Sequence, residues 1–254
     1  RSGMAQWAAP AACVSLILSD VIGNRLAHIG SGPTVPTPPD PQRAQAILDA
    51  YQVWARLDEA TATAVTRHLA AAIPHQPAAG NFIRNHIIGD VSLAAEAAAR
   101  RAEQLGFQTA VVSTTLTGEA RDIGRMAADV ARQTPPGRCL IWGGESTVTV
   151  TGAGLGGRNQ EAALAAAVAL SGAPGCVVAS FATDGEDGPT PVAGAVVSGE
   201  TAVQAAQSGL DPAAYLANND SYHFFQRLGA GHLSAPTGTN VNDLLVALTY
   251  ATDS

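Results

Sequence analysis

The chain has 254 residues, 46% of them hydrophobic and only 5% aromatic, with a formal net charge of −7. That length carries one large or two small packed domains, and the alanine-rich, aromatic-poor composition predicts thin, closely packed helices and sheets. An acidic chain without a run of basic residues excludes nucleic acid and an anionic membrane surface as the main partner, although one local arginine still suits a small anionic substrate.

Val14 to Leu18 reads as a buried strand running into Ser19-Asp20-Val21-Ile22-Gly23. A Gly/Pro-rich loop follows, with Ser31-Gly32-Pro33-Thr34 and then Pro36, Pro38 and Pro39. Asp40-Pro41 is a helix start, aspartate as N-cap and proline in the first turn, and Ala44, Ile47, Leu48 and Tyr51 continue at helical spacing. A second helix runs from about Asp58 to Ala72 and ends at Pro74. The short segment Pro74 to Gly80 is the expected domain boundary, dividing residues 1–79 from 80–254. Strand–helix alternation begins thereafter. The strand His86 to Ile88, the helix Ser92 to Leu105 closed by Gly106, and the strand Thr109 to Ser113 come first. The helix Glu119 to Arg132, the turn Pro135-Pro136-Gly137 and the strand Cys139 to Trp142 follow. Thr147 to Thr151 alternates threonine and valine as a strand with one solvated face does. After the glycine-rich turn Gly152 to Gly157 come a helix from about Asn159 to Leu170 and the strand Cys176 to Phe181. Helices around Glu200 to Ala206 and Asp220 to Leu228 precede a last strand, Leu244 to Leu248. The alternation predicts an α/β fold whose sheet, mainly parallel or mixed, is flanked by helices.

All fourteen basic residues are arginine, a bias that GC-rich coding explains. Any chemistry that needs a lysine must take it from outside these residues. Cys13, Cys139 and Cys176 lie far apart in apolar runs without metal spacing, so they read as free thiols of a reducing, cytoplasmic compartment. The longest apolar stretch, Ala162 to Leu170, falls far short of the ~20 residues a membrane-spanning helix needs. The amino terminus has no signal-peptide pattern and enters a strand within about a dozen residues, as a chain cut from something longer would.

The segment Gly152-Ala153-Gly154-Leu155-Gly156-Gly157-Arg158-Asn159-Gln160-Glu161 carries the strongest chemical signal. Glycines let the backbone turn and approach a ligand, and free N–H groups at a helix start attract anions. Arg158 adds a planar charged fork suited to carboxylate or phosphate. The plainer reading is a glycine-rich turn with a surface arginine. Gly152, Gly154 and Gly157 also satisfy the G-x-G-x-x-G pattern of a dinucleotide-binding unit. Against that, the preceding strand is half polar, and Asp184 belongs to a larger acidic loop, Thr183-Asp184-Gly185-Glu186-Asp187-Gly188. That loop, directly after a strand, suits Mg²⁺ binding or base catalysis, or is a solvated acidic turn; its spacing is not that of an EF-hand. Gly143-Gly144-Glu145, expected to join two strands, brings Glu145 to the same crevice. Asn218-Asn219-Asp220-Ser221 opens a helix with Asp220 as a cap. The segment Pro236 to Asp243 offers Thr237, Asn240 and other polar groups before the last strand. The six histidines read as structural or surface residues.

These segments resemble a known family. SDVIGN with SGPTVP, RNHIIGD, GGESTVTVTGAGLGGRNQE, ATDGEDGP followed by AGAVV, NNDSYHFF and PTGTNVNDLLV together are similar to the glycerate 2-kinase family, whose C-terminal part is the MOFRL domain. The resemblance spans about Val14 to Leu248. It implies ATP-dependent, Mg²⁺-assisted phosphorylation of D-glycerate to 2-phosphoglycerate by a two-domain kinase, with a homodimer as the assembly considered. Residues 1–79 then correspond to the end of a Rossmann-like N-terminal domain, and residues 80–254 to the MOFRL-containing domain with its core motifs at about 138–250. The resemblance also implies a catalytic lysine in the upstream part, so the chain as given is expected to be incomplete and inactive alone. It supports a catalytic Arg158; from the acidic loop, Asp184 is expected to coordinate Mg²⁺ with Asp187 or to accept the hydroxyl proton. Gly154, Gly156, Gly157, Asn159, Glu161, Glu145, Thr237 and Asn240 are assigned to substrate and phosphate. Asn24 and Arg25 depart from the acidic residues usual there, and Thr190-Pro191-Val192 lacks a usual aspartate. The alternative activity is an NAD(P)H-dependent hydroxypyruvate reductase, a label some members carry.

Overall fold

The computed structural model describes residues 3–8, 10–35, 40–71, 83–229, 232–233 and 236–252. The expected boundary Pro74–Gly80 and the prolines at 36, 38 and 39 lie outside the described residues. Two compact units are present, one of residues 1–16 and 25–86, the other of residues 17–24 and 87–254.

The first unit contains α1 (Gly3–Ala8), α2 (Pro41–Ala50) and α3 (Glu59–Ala70). Both longer helices start as the sequence dictates. Asp40 accepts from the Arg43 amide, with Pro41 in the first turn, and Asp58 accepts from the Thr61 amide and hydroxyl, both at 2.8 Å. The carboxylate oxygens satisfy amides that the helix itself leaves unpaired. Neither α2 nor α3 has a buried residue. Strand β1 (Cys13–Leu18) pairs with β2 (Ile83–Gly89), and both strands carry the chain into the second unit.

The second unit continues with α4 (Val91–Gln104), β3 (Gln108–Glu119), α5 (Ala120–Gln133), β4 (Arg138–Thr147), α6 (Arg158–Leu170) and β5 (Cys176–Ala182). It ends with β6 (Gly194–Ser198), α7 (Thr201–Gln207), α8 (Pro212–Ala217), α9 (Ser221–Leu228), β7 (His232–Leu233) and β8 (Asp243–Thr249). Its six-stranded sheet has the order β3-β4-β8-β5-β6-β7. Helices cover both faces. On one, α4 packs Val91 and Ala95 against Cys139, Ile141 and Leu244. On the other, α5 and α6 pack against Trp142, Val178, Leu245 and Ala247. Ile141 and Trp142 point to opposite cores because successive strand residues alternate faces. The alanines 127, 128, 131, 163, 166 and 167 are all buried where α5 meets α6, and a side chain on Gly124 would run into the Ala162 carbonyl.

The sheet is mixed. β3 and β4 are parallel, whereas the β4–β8, β8–β5, β5–β6 and β6–β7 pairs are antiparallel. A mainly parallel sheet fails because β8 returns between β4 and β5, and β5 turns back directly into β6. Thr147 to Thr151 is not a separate strand. β4 runs unbroken through Gly143 and Gly144, and the chain leaves the sheet after Thr147. Its polar groups find side-chain partners instead. The Thr149 amide and hydroxyl donate to Glu119, and the Thr151 amide donates to Asn219. Strand β6 and helix α8 have no counterpart in the sequence-based expectations. Among the described residues, no helix is long and apolar enough to cross a membrane.

Candidate functional site

Strand register assembles the site in the second unit. Asp243, the first residue of β8, pairs with Gly144 of β4 on one side and Ala182 of β5 on the other. The carboxyl ends of β4 and β5, the amino end of β8 and the start of α6 at Arg158 therefore belong to one end of the sheet. In α/β sheets the ligand crevice lies beyond the carboxyl ends of the strands.

Arg158 is the centre of this cluster. Its Nη2 donates to Asp243 Oδ1 at 2.9 Å and its Nε donates to Oδ2, a two-pronged pair. Its Nη1 stands 3.1 Å from Glu145 Oε1. The hydrogen bonds to Asp243, with the nearby charges of Asp243, Glu145 and Asp187, push the guanidinium pKa above its ordinary value against the opposing effect of burial. Asn242 links the neighbouring segments: its Nδ2 donates to Glu145 Oε2 at 3.3 Å and to the Asp20 carbonyl at 2.7 Å. Asn242 adopts φ +68°, a left-handed conformation that asparagine tolerates better than most side chains. A small cleft adjoins this cluster, with a lining that includes Trp142, Glu145, Asn159, Ser180 and Asp243.

The glycine-rich turn has a different role from the one its pattern suggests. Asn219 Oδ1 accepts from the amides of Thr151 and Gly152, Asn218 Oδ1 from Ala153, the Asn218 carbonyl from Gly154, and Asp220 Oδ1 from Leu155. A Cβ on Gly152 would strike the Asn218 backbone, on Gly154 the Asn218 carbonyl and Asp220, on Gly156 the Ser221 hydroxyl, and on Gly157 the Asp187 carboxyl. The glycines thus admit another part of the same chain. The amides available to an anion reduce to Gly156, Gly157 and Arg158, which have no acceptor among the described residues.

Asp187 explains the start of α6. Gly157 occupies the N-cap position and has no side chain to offer. Asp187, only 1% exposed, takes its place, accepting from the amides of Asn159 at 3.0 Å and Gln160 at 2.8 Å and from both of their side chains. Burial raises its pKa despite these hydrogen bonds. With both oxygens turned into the helix, Asp187 is a structural anchor and does not join Asp184 as a pair facing a metal. Asp184 is half-buried, and its Oδ1 accepts from the Glu186 amide. No cluster of three or more metal-ligating side chains occurs among the described residues.

Glu161 is likewise internal. It is 2% exposed, receives Arg121 Nε at 3.0 Å and Nη2 at 2.8 Å, and accepts from Asn219 Nδ2 at 2.9 Å. Asn159 is buried, its Oδ1 accepting from Ser180, and it borders the cleft. Thr237 donates its hydroxyl to the Thr183 carbonyl and its amide to the Asp184 carbonyl, tying its loop to the acidic one. Asn240 accepts from the Asn242 amide and shapes the turn before β8. The structure therefore brings Glu145 to Arg158, whereas Glu161, Asp187, Gly154 and Asn240 serve the framework. Sequence reasoning missed Asp243, Asn219 and Arg121 as partners. The only signal was the concentration of polar residues around the first two.

Comparisons with known proteins agree with this architecture. A model of the MOFRL family matches residues 138–243, and a model of a domain of unknown function, DUF4147, matches residues 2–69. The D-glycerate 2-kinase of Thermotoga maritima is 40% identical over 246 residues, covering 94% of this chain and 57% of that protein. The glycerate kinase of Macaca fascicularis is 40% identical over 291 aligned positions, covering 95% of this chain and 73% of that protein. A crystal structure of the Thermotoga maritima glycerate kinase superposes with a TM-score of 0.87 at 39% identity, over 98% of this chain and 60% of that one. The chain thus spans between about half and three-fifths of the length of most of the curated relatives it matches.

Proposed function

The chain belongs to the glycerate kinase family, and on that premise we propose that the intact protein transfers the γ-phosphoryl group of ATP to the 2-hydroxyl of D-glycerate. The observation that carries the reading is Arg158, held by Asp243 at the ligand end of the sheet with its Nη1 edge on the side of the half-exposed Glu145. Phosphoryl transfer asks a protein mainly for positioning and charge stabilisation. The glycerate hydroxyl oxygen bonds to the γ-phosphorus as the bond to the β-phosphate oxygen breaks; ADP leaves, and the hydroxyl proton passes to solvent water. Arg158 holds the transferring phosphoryl group or the glycerate carboxylate. The amides of Gly156, Gly157 and Arg158 supply neutral donors beside it.

Mg²⁺ fits only part of the expected donor set. Asp184 offers a hard carboxylate oxygen on a half-buried loop, while Asp187 has no free oxygen to give. Mg²⁺ usually takes one or two carboxylates together with substrate phosphates, so Asp184 is the ligand proposed from this chain. When bound, the ion would offset charge on the nucleotide.

The test is Arg158→Ala in the intact protein, with ADP formation followed on D-glycerate and the product identified by ³¹P NMR. Loss of an arginine that stabilises phosphoryl transfer costs on the order of 10³-fold in rate. A kcat within tenfold of the parent, or a product other than 2-phosphoglycerate, rejects the assignment.

A further inference from the structure

Arg158 carries two carboxylates that are not equivalent. Asp243 is 9% exposed, accepts two hydrogen bonds from Arg158, and stands on backbone paired on both sides, so its carboxylate has little solvent to turn into. Glu145 is 44% exposed and meets Nη1 as an ion pair at 3.1 Å. Its other oxygen receives a long 3.3 Å hydrogen bond from Asn242, whose shorter bond goes to the Asp20 carbonyl. Asp243 occupies the Nε–Nη2 edge of the guanidinium, leaving Nη1 for a second anion. Glu145 stands there now. Two carboxylates on one cation give the cluster a net negative charge, so an approaching anion is repelled until one of them withdraws.

Resting on the function proposed above, we infer that Glu145 is the displaceable counter-ion of Arg158: an incoming carboxylate or phosphoryl group takes its place at Nη1, while Asp243 stays and keeps the guanidinium oriented. Glu145 is then a positioning residue that sets how strongly an anion must bind to open the site. A solvated ion pair of this kind is weak enough to exchange, and breaking it costs every incoming anion alike, so a ligand that makes further contacts still binds where a lone weak anion does not.

The test uses the intact protein titrated separately with inorganic phosphate and with D-glycerate, the backbone amide signals of residues 156–159 being followed by NMR. Glu145→Gln is expected to tighten binding of both by roughly 3- to 10-fold, the range for removing one partly exposed competing charge. Unchanged or weaker binding in E145Q overturns the inference. Adding Arg158→Ala to E145Q must abolish the gain. If the double variant still binds tightly, the anion sits elsewhere and the assignment of Arg158 falls with it. If neither the parent nor E145Q binds either anion, both are rejected.

Discussion

Asp187→Ala tests whether the acidic loop is an anchor or a free ligand. The carboxylate accepts from the Asn159 and Gln160 amides and from both of their side chains, all within buried surroundings. Alanine leaves those two helix amides without an acceptor, because Gly157 has no side chain to replace it. Each buried unsatisfied donor costs about 1–3 kcal/mol. The side-chain amides can reorient and add little, while relief of the buried charge offsets part of the total. The net loss expected is about 2–4 kcal/mol, or roughly 5–12 °C in Tm for a unit of this size. Urea unfolding followed by circular dichroism at pH 7 measures it, with midpoint and slope fitted separately. The pH dependence gives a second handle. The folded-state pKa of Asp187 is raised, so the protonated form binds the fold better. Its contribution is full below the unfolded value of about 3.9 and declines as pH rises through the folded value. Asp187→Ala removes that decline, so the gap between parent and variant is widest at the acid end. A loss under about 1 kcal/mol at pH 7 refutes the anchoring role, whereas a gap that widens with rising pH would show the hydrogen bonds outweighing burial.

Other outcomes follow from neighbouring contacts. Gly154→Ala meets Asn218 backbone and Asp220, neither of which can yield without moving the start of α9; overpacking of this kind costs about 1–3 kcal/mol, and thermal melts should show it. Glu161→Gln removes the charge paired with Arg121 and half-satisfies Asn219; a destabilisation of about 1–3 kcal/mol in urea melts is expected, and a value near zero would deny the pair its buttressing role. Burial pushes the Cys139 thiol up to about 11 and raises Cys176 as well. Since thiolate is the reactive form, a chromogenic disulfide reagent at pH 8 should label Cys13 first in the native chain and all three thiols in urea. Rapid native labelling of Cys139 would contradict the packing around β4.

What the sequence disclosed depended on how far apart the partners stand. Asp40 and Asp58 cap helices whose amides lie three residues on, and both starts are legible. The family motifs gather at one end of the sheet because Glu145 and Arg158 flank one connection. Asp187 and Asp243 reach α6 from 28 and 85 residues away, and no local pattern distinguishes a carboxylate aimed at a helix amide from one aimed at a metal. A mixed sheet was among the expectations, but its strand order was not legible: β8 is an ordinary apolar strand, and only its insertion between β4 and β5 makes both pairings antiparallel. The glycine pattern shows the limit most sharply. Glycine reports that something approaches the backbone too closely for a Cβ, not what it is. In Gly152, Gly154 and Gly156 the visitor is Asn218 to Ser221, and in Gly157 it is Asp187. A dinucleotide fingerprint and an internally braced loop therefore share one spelling. What separates them is the fate of the amides, and here the first four after Thr151 already have acceptors within the chain. The amides without an acceptor among the described residues are those of the last two glycines and of Arg158, whose guanidinium is itself braced by Asp243 and paired with Glu145.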